Sequence, residues 1–171
     1  ALPPPQTPEP GWSQQDPQCW WVAVCAVLRG IAAQLAGLEC VALLVDGTSG
    51  TLLLAAPDGS PNGPALMYND RRAVAGAAAI AAVAPADSPA LGASSGLAKL
   101  IALGAAVRGS RALLALHQAD WVAGRLTGRY GVSDWNNALK LGFDAALNVW
   151  PAWVRALAPD GIRLPRVLAP G

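Results

Sequence analysis

The sequence CVALLVDGTSG, residues 40–50, joins an apolar run of six residues to a polar loop that contains two glycines. The run shows no alternation of apolar and polar residues, which is typical of a strand that is covered on both faces in an α/β sheet. We therefore predict an α/β domain with a buried strand at residues 40–45 and a polar loop at residues 46–50.

The predicted loop is open to three interpretations. A glycine-rich loop after a buried strand can bring backbone amides and hydroxyls close to a phosphate or to a sugar. The phosphate loop of the actin-like ATPases has one residue between Asp and Gly-Thr, whereas Asp46 and Gly47 are adjacent here. A plain turn explains the same residues equally well. The loop sequence alone does not show whether these residues bind a nucleotide phosphate, bind a sugar or only form a turn.

The chain on either side of this loop predicts further helices and strands. Asp16 followed by Pro17 is typical of a helix start, and Gly37 is the predicted stop of that helix. A turn at residues 57–59 separates two predicted short strands at residues 51–54 and 66–68. The remaining predicted helices are an Ala-rich helix that ends before Pro85, with Asn69 or Asp70 as its cap, and helices at residues 97–103, 118–126, 136–141 and 144–158.

A second polar cluster lies at the predicted strand-to-helix junction of residues 67–72. Tyr68, Asn69 and Asp70 place an aromatic ring, an amide and a carboxylate next to two arginines. Such a set can hold the hydroxyls of a polyol. Asp70 can equally serve only as a helix cap, so both interpretations stay open at this point.

The composition excludes several classes of protein. At 171 residues and 53% hydrophobic content the chain is long enough for one domain with a real core. With a net charge of +1 and 13% charged residues, the chain has no strong electric field that would attract nucleic acid or an anionic membrane. We therefore expect neither as a partner. The longest apolar stretch is too short to cross a bilayer, which takes about 20 apolar residues.

The cysteines and the single histidine show no catalytic or metal-binding pattern. Cys19, Cys25 and Cys40 are odd in number and lack metal-type spacing, which favours buried, reduced thiols in a cytoplasmic protein. His117 has no Ser or Cys partner at a recognisable spacing and is predicted to be a capping or packed residue. We find no serine-hydrolase elbow and no Walker loop.

Six motifs, in this order, resemble the N-terminal domain of the FGGY carbohydrate kinases, most closely the ribulokinase-like and xylulokinase-like branch. Each motif alone is weak, and the similarity runs through nearly the whole chain. The motifs lie at residues 10–17, 45–51, 66–72, 94–100, 120–128 and 133–140. Trp135 departs from the family, whose members often carry a charged or small polar residue there.

The resemblance implies a ribonuclease H-like α/β fold, shared with actin and hexokinase, and a small sugar as the substrate. In the family, the positions that match Thr48 and Ser49 hold sugar hydroxyls, and the position that matches Tyr68 is an aromatic wall of the sugar pocket beside Asn69 and Asp70. Ser94 and Ser95 match a loop that reaches the substrate in some relatives. The implied activity is ATP-dependent phosphorylation of a ketopentose such as D-ribulose or D-xylulose.

The resemblance also implies that parts of the kinase lie outside residues 1–171. Family members bind the phosphates of ATP with an upstream hairpin, and they carry the catalytic-base Asp and the whole second domain further downstream. We therefore expect an incomplete N-terminal domain that is inactive alone, with ATP and Mg²⁺ bound mainly by the missing regions and no catalytic residue within this chain. The alternative is a noncatalytic sugar-binding or regulatory module derived from such a kinase.

Overall fold

The computed structural model describes residues 2–107 and 112–169. A mixed five-stranded sheet runs through the middle of the fold in the order β1-β3-β2-β4-β6. β2 lies antiparallel to both neighbours, with Leu52 opposite Leu66 of β3 and Leu53 opposite Leu116 of β4. A second sheet pairs β5 with β7 in parallel. The strands are β1 Gln14–Gln15, β2 Leu52–Ala55, β3 Ala65–Leu66, β4 Leu113–His117, β5 Val132–Asp134, β6 Ile162–Arg163 and β7 Arg166–Leu168.

Six helices in the described residues surround the strands, and polar side chains begin several of them. Asp16 accepts a hydrogen bond from the Gln18 amide at the start of the first helix, and the Ser95 hydroxyl accepts one from the Ala98 amide at the start of the third. These caps satisfy amides that have no partner within the helix. The helices are α1 Pro17–Ala32, α2 Val74–Ala81, α3 Gly96–Ala106, α4 Gln118–Thr127, α5 Trp135–Leu139 and α6 Ala152–Leu157.

The central strands β2 and β4 are buried on both faces. Successive residues of a strand point to opposite sides, so Leu52 and Leu54 enter one core while Leu53 and Ala55 enter the other. The first core lies under α2, α3 and α6, and the second contains Trp20 of α1 and Trp121 of α4. Two apolar cores on either side of one sheet give the α/β layering that the sequence predicts.

The predicted strand at residues 40–45 is wrong. This segment forms no strand, and its side chains are mostly exposed, with Leu44 at 92%. A strand needs hydrogen-bonding neighbours, and both edges of β2 are already taken by β3 and β4. Two other unbroken apolar runs do form strands. They are β2, just after the polar loop, and β4, and of these the sequence analysis missed β4.

Other expectations hold in part. The start of α1 and the helices near residues 97–103 and 118–126 are confirmed, whereas the helix predicted at residues 144–158 is reduced to α6. Pro151 precedes α6 and lacks the amide that a longer helix would need. Ala73, without any side-chain hydrogen bond, occupies the cap of α2 that we predicted for Asn69 or Asp70. The three cysteines are unpaired, but the prediction that they are buried is wrong, because Cys19 and Cys25 are half-buried and Cys40 is exposed. Within the described ranges, no helix is both long and apolar enough to cross a membrane.

Candidate functional site

The loop at residues 46–50 lies against the start of α4 and leads directly into β2. Its Asp46 carboxylate accepts a hydrogen bond from the Gly47 amide, and a Cβ on Gly47 would lie 3.3 Å from the Ala119 Cβ. Thr48 is exposed and Ser49 is half-buried, and their hydroxyls make no hydrogen bond within the described structure. The loop therefore offers two hydroxyls to a ligand from a fixed position.

Gly50 ends this loop in a backbone conformation that favours glycine, with φ of 89°. Its Cα faces Lys140, because an added Cβ would lie 3.4 Å from Cδ and 3.7 Å from Nζ of that residue. The Ser94 carbonyl oxygen lies 3.7 Å from the same point. Gly50 is thus the place where the loop, the end of α5 and the approach to α3 meet.

The turn at residues 67–70 reaches the same place through Thr51. The buried Thr51 hydroxyl oxygen accepts a hydrogen bond of 3.0 Å from the Tyr68 amide. Tyr68 is 53% exposed and Asn69 is also exposed, so a ring and an amide face outward beside the loop. Both side chains are free to meet a ligand, and their contact with a sugar stays a prediction.

Asp70 is placed differently from its neighbours because its side chain is fully buried. One carboxylate oxygen accepts a hydrogen bond of 2.6 Å from the Ser13 amide. The Arg72 guanidinium donates to both oxygens, at 2.7 Å for the shortest pair, and also to Gln14. The same guanidinium stacks on Trp12 at 3.7 Å from the ring centroid. Asp70 therefore fastens the turn to β1, and its direct contact with a sugar stays a prediction.

Ser94 and Ser95 also divide into an exposed and a buried residue. Ser94 is exposed beside Gly50, whereas the Ser95 hydroxyl is engaged with the Ala98 amide at the start of α3. Five of the predicted ligands thus lie around one region: Thr48, Tyr68, Asn69 and Ser94 are exposed, and Ser49 is half-buried. The side chains of Asp70 and Ser95 point into the structure and support it.

Two lysines at this region received no role in the sequence analysis. Lys140 is exposed, follows α5, and has no ion-pair partner among the described residues. Lys99 is fully buried on α3 and donates to the Gly50 carbonyl at 2.6 Å and to the Tyr68 carbonyl at 3.2 Å. A signal for Lys99 exists in the sequence, because small or apolar residues surround it at helical spacing. These are Ser95, Gly96, Ala102 and Leu103.

The ammonium of Lys99 is the strongest electrostatic feature here. Burial lowers its pKa from the ordinary 10.5 to about 8; the Asp70 carboxylate acts in the opposite direction, and Lys140 lowers the pKa further. Lys99 therefore changes from an ammonium to a neutral amine at mildly alkaline pH.

His117 lies at the end of β4, close to this region, and is confirmed as a packed residue. It is fully buried at the start of α4, where its amide donates to the Asp120 carboxylate and its Nδ1 lies 3.2 Å from the same oxygen. Its Nε2 has no hydrogen-bond partner and would lie 3.4 Å from a Cβ on Gly96. The tighter contact of that Cβ would be with the Lys140 carbonyl oxygen, at 3.1 Å, and it favours a glycine at the start of α3.

The part of the chain that the structure describes has no group of three or more His, Cys, Asp or Glu side chains that could hold a metal ion. Asp46 and Asp70 are the carboxylates of the region, and the oxygens of Asp70 are occupied by Ser13 and Arg72. The residues present therefore do not fit a Mg²⁺ site, and no step of phosphoryl transfer is assigned to them. What they do offer is hydroxyls, an amide, an aromatic ring and one ammonium.

The fold is similar to that of known proteins. The structure superposes on the xylulose kinase of Rhodospirillum rubrum with a TM-score of 0.78 and 28% identity, over 94% of this chain and 36% of that protein. The gluconate kinase of Lactobacillus acidophilus gives a TM-score of 0.80 at 16% identity, over 96% of this chain and 35% of that one. The fold resembles that of sugar-kinase domains.

A relative is also found by sequence. A stretch of 68 residues is 37% identical to the glycerol kinase of Gloeobacter violaceus. The matched stretch covers 40% of this chain and 14% of that protein. No protein-family model matches the chain. The chain spans about a third of the length of the sugar kinases whose structures it resembles.

Proposed function

We propose that this chain is the sugar-holding part of an ATP-dependent FGGY carbohydrate kinase of the ribulokinase-like or xylulokinase-like branch, with the ribonuclease H-like fold of that family. The sugar in this proposal is a ketopentose such as D-ribulose or D-xylulose. One observation carries it: the loop at residues 46–50, the turn at residues 67–70, Ser94 and Lys140 meet around Gly50 and Thr51, and each of them presents at least one exposed polar side chain there. The similarity in fold to sugar kinases supports it.

The chemistry of the exposed side chains suits a sugar. Hydroxyls of Thr48 and Ser49 and the amide of Asn69 can each donate and accept hydrogen bonds, as a polyol requires. The Tyr68 ring supplies an apolar wall, and the Lys140 ammonium adds a charged donor. Asp70 contributes by holding the turn that carries Tyr68 and Asn69.

ATP and Mg²⁺ belong to the proposal as ligands of regions outside residues 1–171, together with the Asp that deprotonates the sugar. When bound, Mg·ATP supplies the phosphoryl group, and the residues of this chain orient the accepting hydroxyl toward it. The unpaired cysteine thiols suit the reducing cytoplasm, where we place the enzyme.

The test is an ATP-consumption assay of the full-length protein with a panel of ketoses, gluconate and glycerol. We expect ADP formation that depends on one ketopentose. Absence of sugar-dependent turnover on every compound would contradict the kinase proposal. If calorimetry then detected sugar binding without turnover, the noncatalytic sugar-binding module would be the correct interpretation.

Substitution of Asn69 tests the position of the sugar. Asn69→Ala removes one exposed amide, and loss of one hydrogen bond costs about 1 kcal/mol, which corresponds to about a fivefold rise in the sugar KM. Asn62→Ala, in the connection between β2 and β3, is the matched control and should leave KM unchanged. Equal KM values for the two variants would remove Asn69 from the proposed site.

A further inference from the structure

Lys99 connects two loops that are distant in sequence. Its Nζ lies 2.6 Å from the Gly50 carbonyl oxygen, 49 residues away, and 3.2 Å from the Tyr68 carbonyl oxygen, 31 residues away. Gly50 ends the loop that carries Thr48 and Ser49, and Tyr68 begins the turn that carries Asn69. One ammonium thereby fixes the distance between the two sets of outward side chains.

The placement of this ammonium is costly for folding. A buried charge loses its hydration, and here two carbonyl oxygens replace the water while no carboxylate is bonded to it among the described residues. An apolar side chain of similar length would avoid this cost but would leave the Gly50 and Tyr68 carbonyls without this donor. The lysine is therefore tied to the conformation of these two loops, because what offsets the burial of its charge is the contact with their carbonyls.

We propose that Lys99 is a positioning residue of the sugar site, whose ammonium holds the Gly50 and Tyr68 carbonyls and so sets the spacing between the Thr48-Ser49 loop and the Tyr68-Asn69 turn. This inference rests on the proposed function. Lys99 itself is buried and does not touch the sugar; it acts through the two loops.

The charged groups that act on the Lys99 ammonium are Asp70, on the turn, and Lys140, after α5. Burial brings the pKa of Lys99 to about 8, so the ammonium is converted to a neutral amine as pH rises through that value. A neutral amine is a weaker donor to carbonyls than an ammonium. Sugar binding should consequently weaken above about pH 8, whereas removal of Lys99 should abolish this dependence.

Folding stability should follow pH in the opposite sense. Unfolded Lys99 keeps its ordinary pKa of 10.5, so between pH 8 and 10.5 the unfolded chain binds more protons at this residue than the folded one. Its contribution to the free energy of unfolding therefore rises with pH in that window. The measurement is chemical denaturation of wild type and Lys99→Met at several pH values. As pH increases, the free energy of unfolding of the wild type should rise relative to that of Lys99→Met.

The decisive experiment compares Lys99→Met with Leu100→Met in the full-length kinase. Leu100 is fully buried in the core on the same helix and has no side-chain group that can donate to the two carbonyls, so it controls for repacking of α3. For Lys99→Met at pH 7 we expect a sugar KM raised about tenfold or more, while kcat and the ATP KM stay within about twofold. Leu100→Met should leave all three unchanged.

The outcomes separate this inference from the proposed function. Sugar-dependent turnover by wild type supports the kinase, whatever Lys99→Met does. The positioning role would be overturned if Lys99→Met kept the sugar KM of the wild type. It would also be overturned if both methionine variants lowered kcat and raised the sugar KM by equal factors. Should Lys99→Met fail to fold, the sugar KM of wild type between pH 6.5 and 9.5 decides: a rise above about pH 8 supports the role, and a flat profile overturns it.

Discussion

Asp70→Ala is expected to lower the free energy of unfolding by about 3 kcal/mol, the lower end of the cost of removing one partner of a buried ion pair, because the Arg72 side chain keeps 15% of its surface exposed. The substitution leaves the Arg72 guanidinium without its carboxylate and the Ser13 amide without its acceptor. It also releases the contacts of Arg72 with Gln14 and Trp12, which join the turn to the first strand. Denaturation in urea, monitored by tryptophan fluorescence, measures the loss.

Asp87→Ala is the control for this prediction, because Asp87 is exposed and makes no side-chain hydrogen bond or ion pair within the described structure. We expect a change within about 0.5 kcal/mol, as is usual for surface substitutions. Similar losses in Asp70→Ala and Asp87→Ala would mean that the buried network contributes little. Asp70→Asn keeps the shape of the side chain but removes the charge that pairs with Arg72, so its free energy of unfolding measures the share of the loss that comes from the ion pair.

The sequence predicted the layers of the fold better than the strand positions. An unbroken apolar run does indicate a strand buried on both faces, and Leu52–Ala55 is such a strand. The same pattern at residues 40–45 gave a wrong strand prediction. Periodicity alone does not show which apolar segment pairs with neighbouring strands. Leu113–His117 was missed for the related reason that a short apolar run also suits a buried helix.

The candidate site was predicted as a set of residue types, and its three-dimensional arrangement was not. Tyr68 and Asn69 are exposed beside the loop, yet adjacent Asp70 points the other way, toward Ser13. Motif order cannot distinguish these directions, since one turn carries all three residues. Lys99 was overlooked because a lysine in a helix is usually exposed, and only the fold brings two carbonyls to its ammonium.

Trp121 provides the other large expected effect, on the opposite side of the sheet from α3. Its side chain is fully buried, its Nε1 donates to the Gly59 carbonyl at 2.8 Å, and its ring meets Trp20 edge to face with centroids 6.0 Å apart. Trp121→Ala should lower the free energy of unfolding by about 3–5 kcal/mol, since it opens a cavity in this core. Chemical denaturation with an unchanged m-value would verify it.

Trp121→Phe separates the hydrogen bond from the packing. Phenylalanine keeps most of the apolar volume but leaves the buried Gly59 carbonyl unsatisfied, which costs about 1–3 kcal/mol. The matched variant is Trp135→Phe, because the Nε1 of Trp135 donates to Asn148 in an exposed hydrogen bond that water can replace. We expect Trp135→Phe to lose less than Trp121→Phe. Equal losses would show that the Gly59 bond has no special weight, and the hairpin between β2 and β3 would then depend on packing alone.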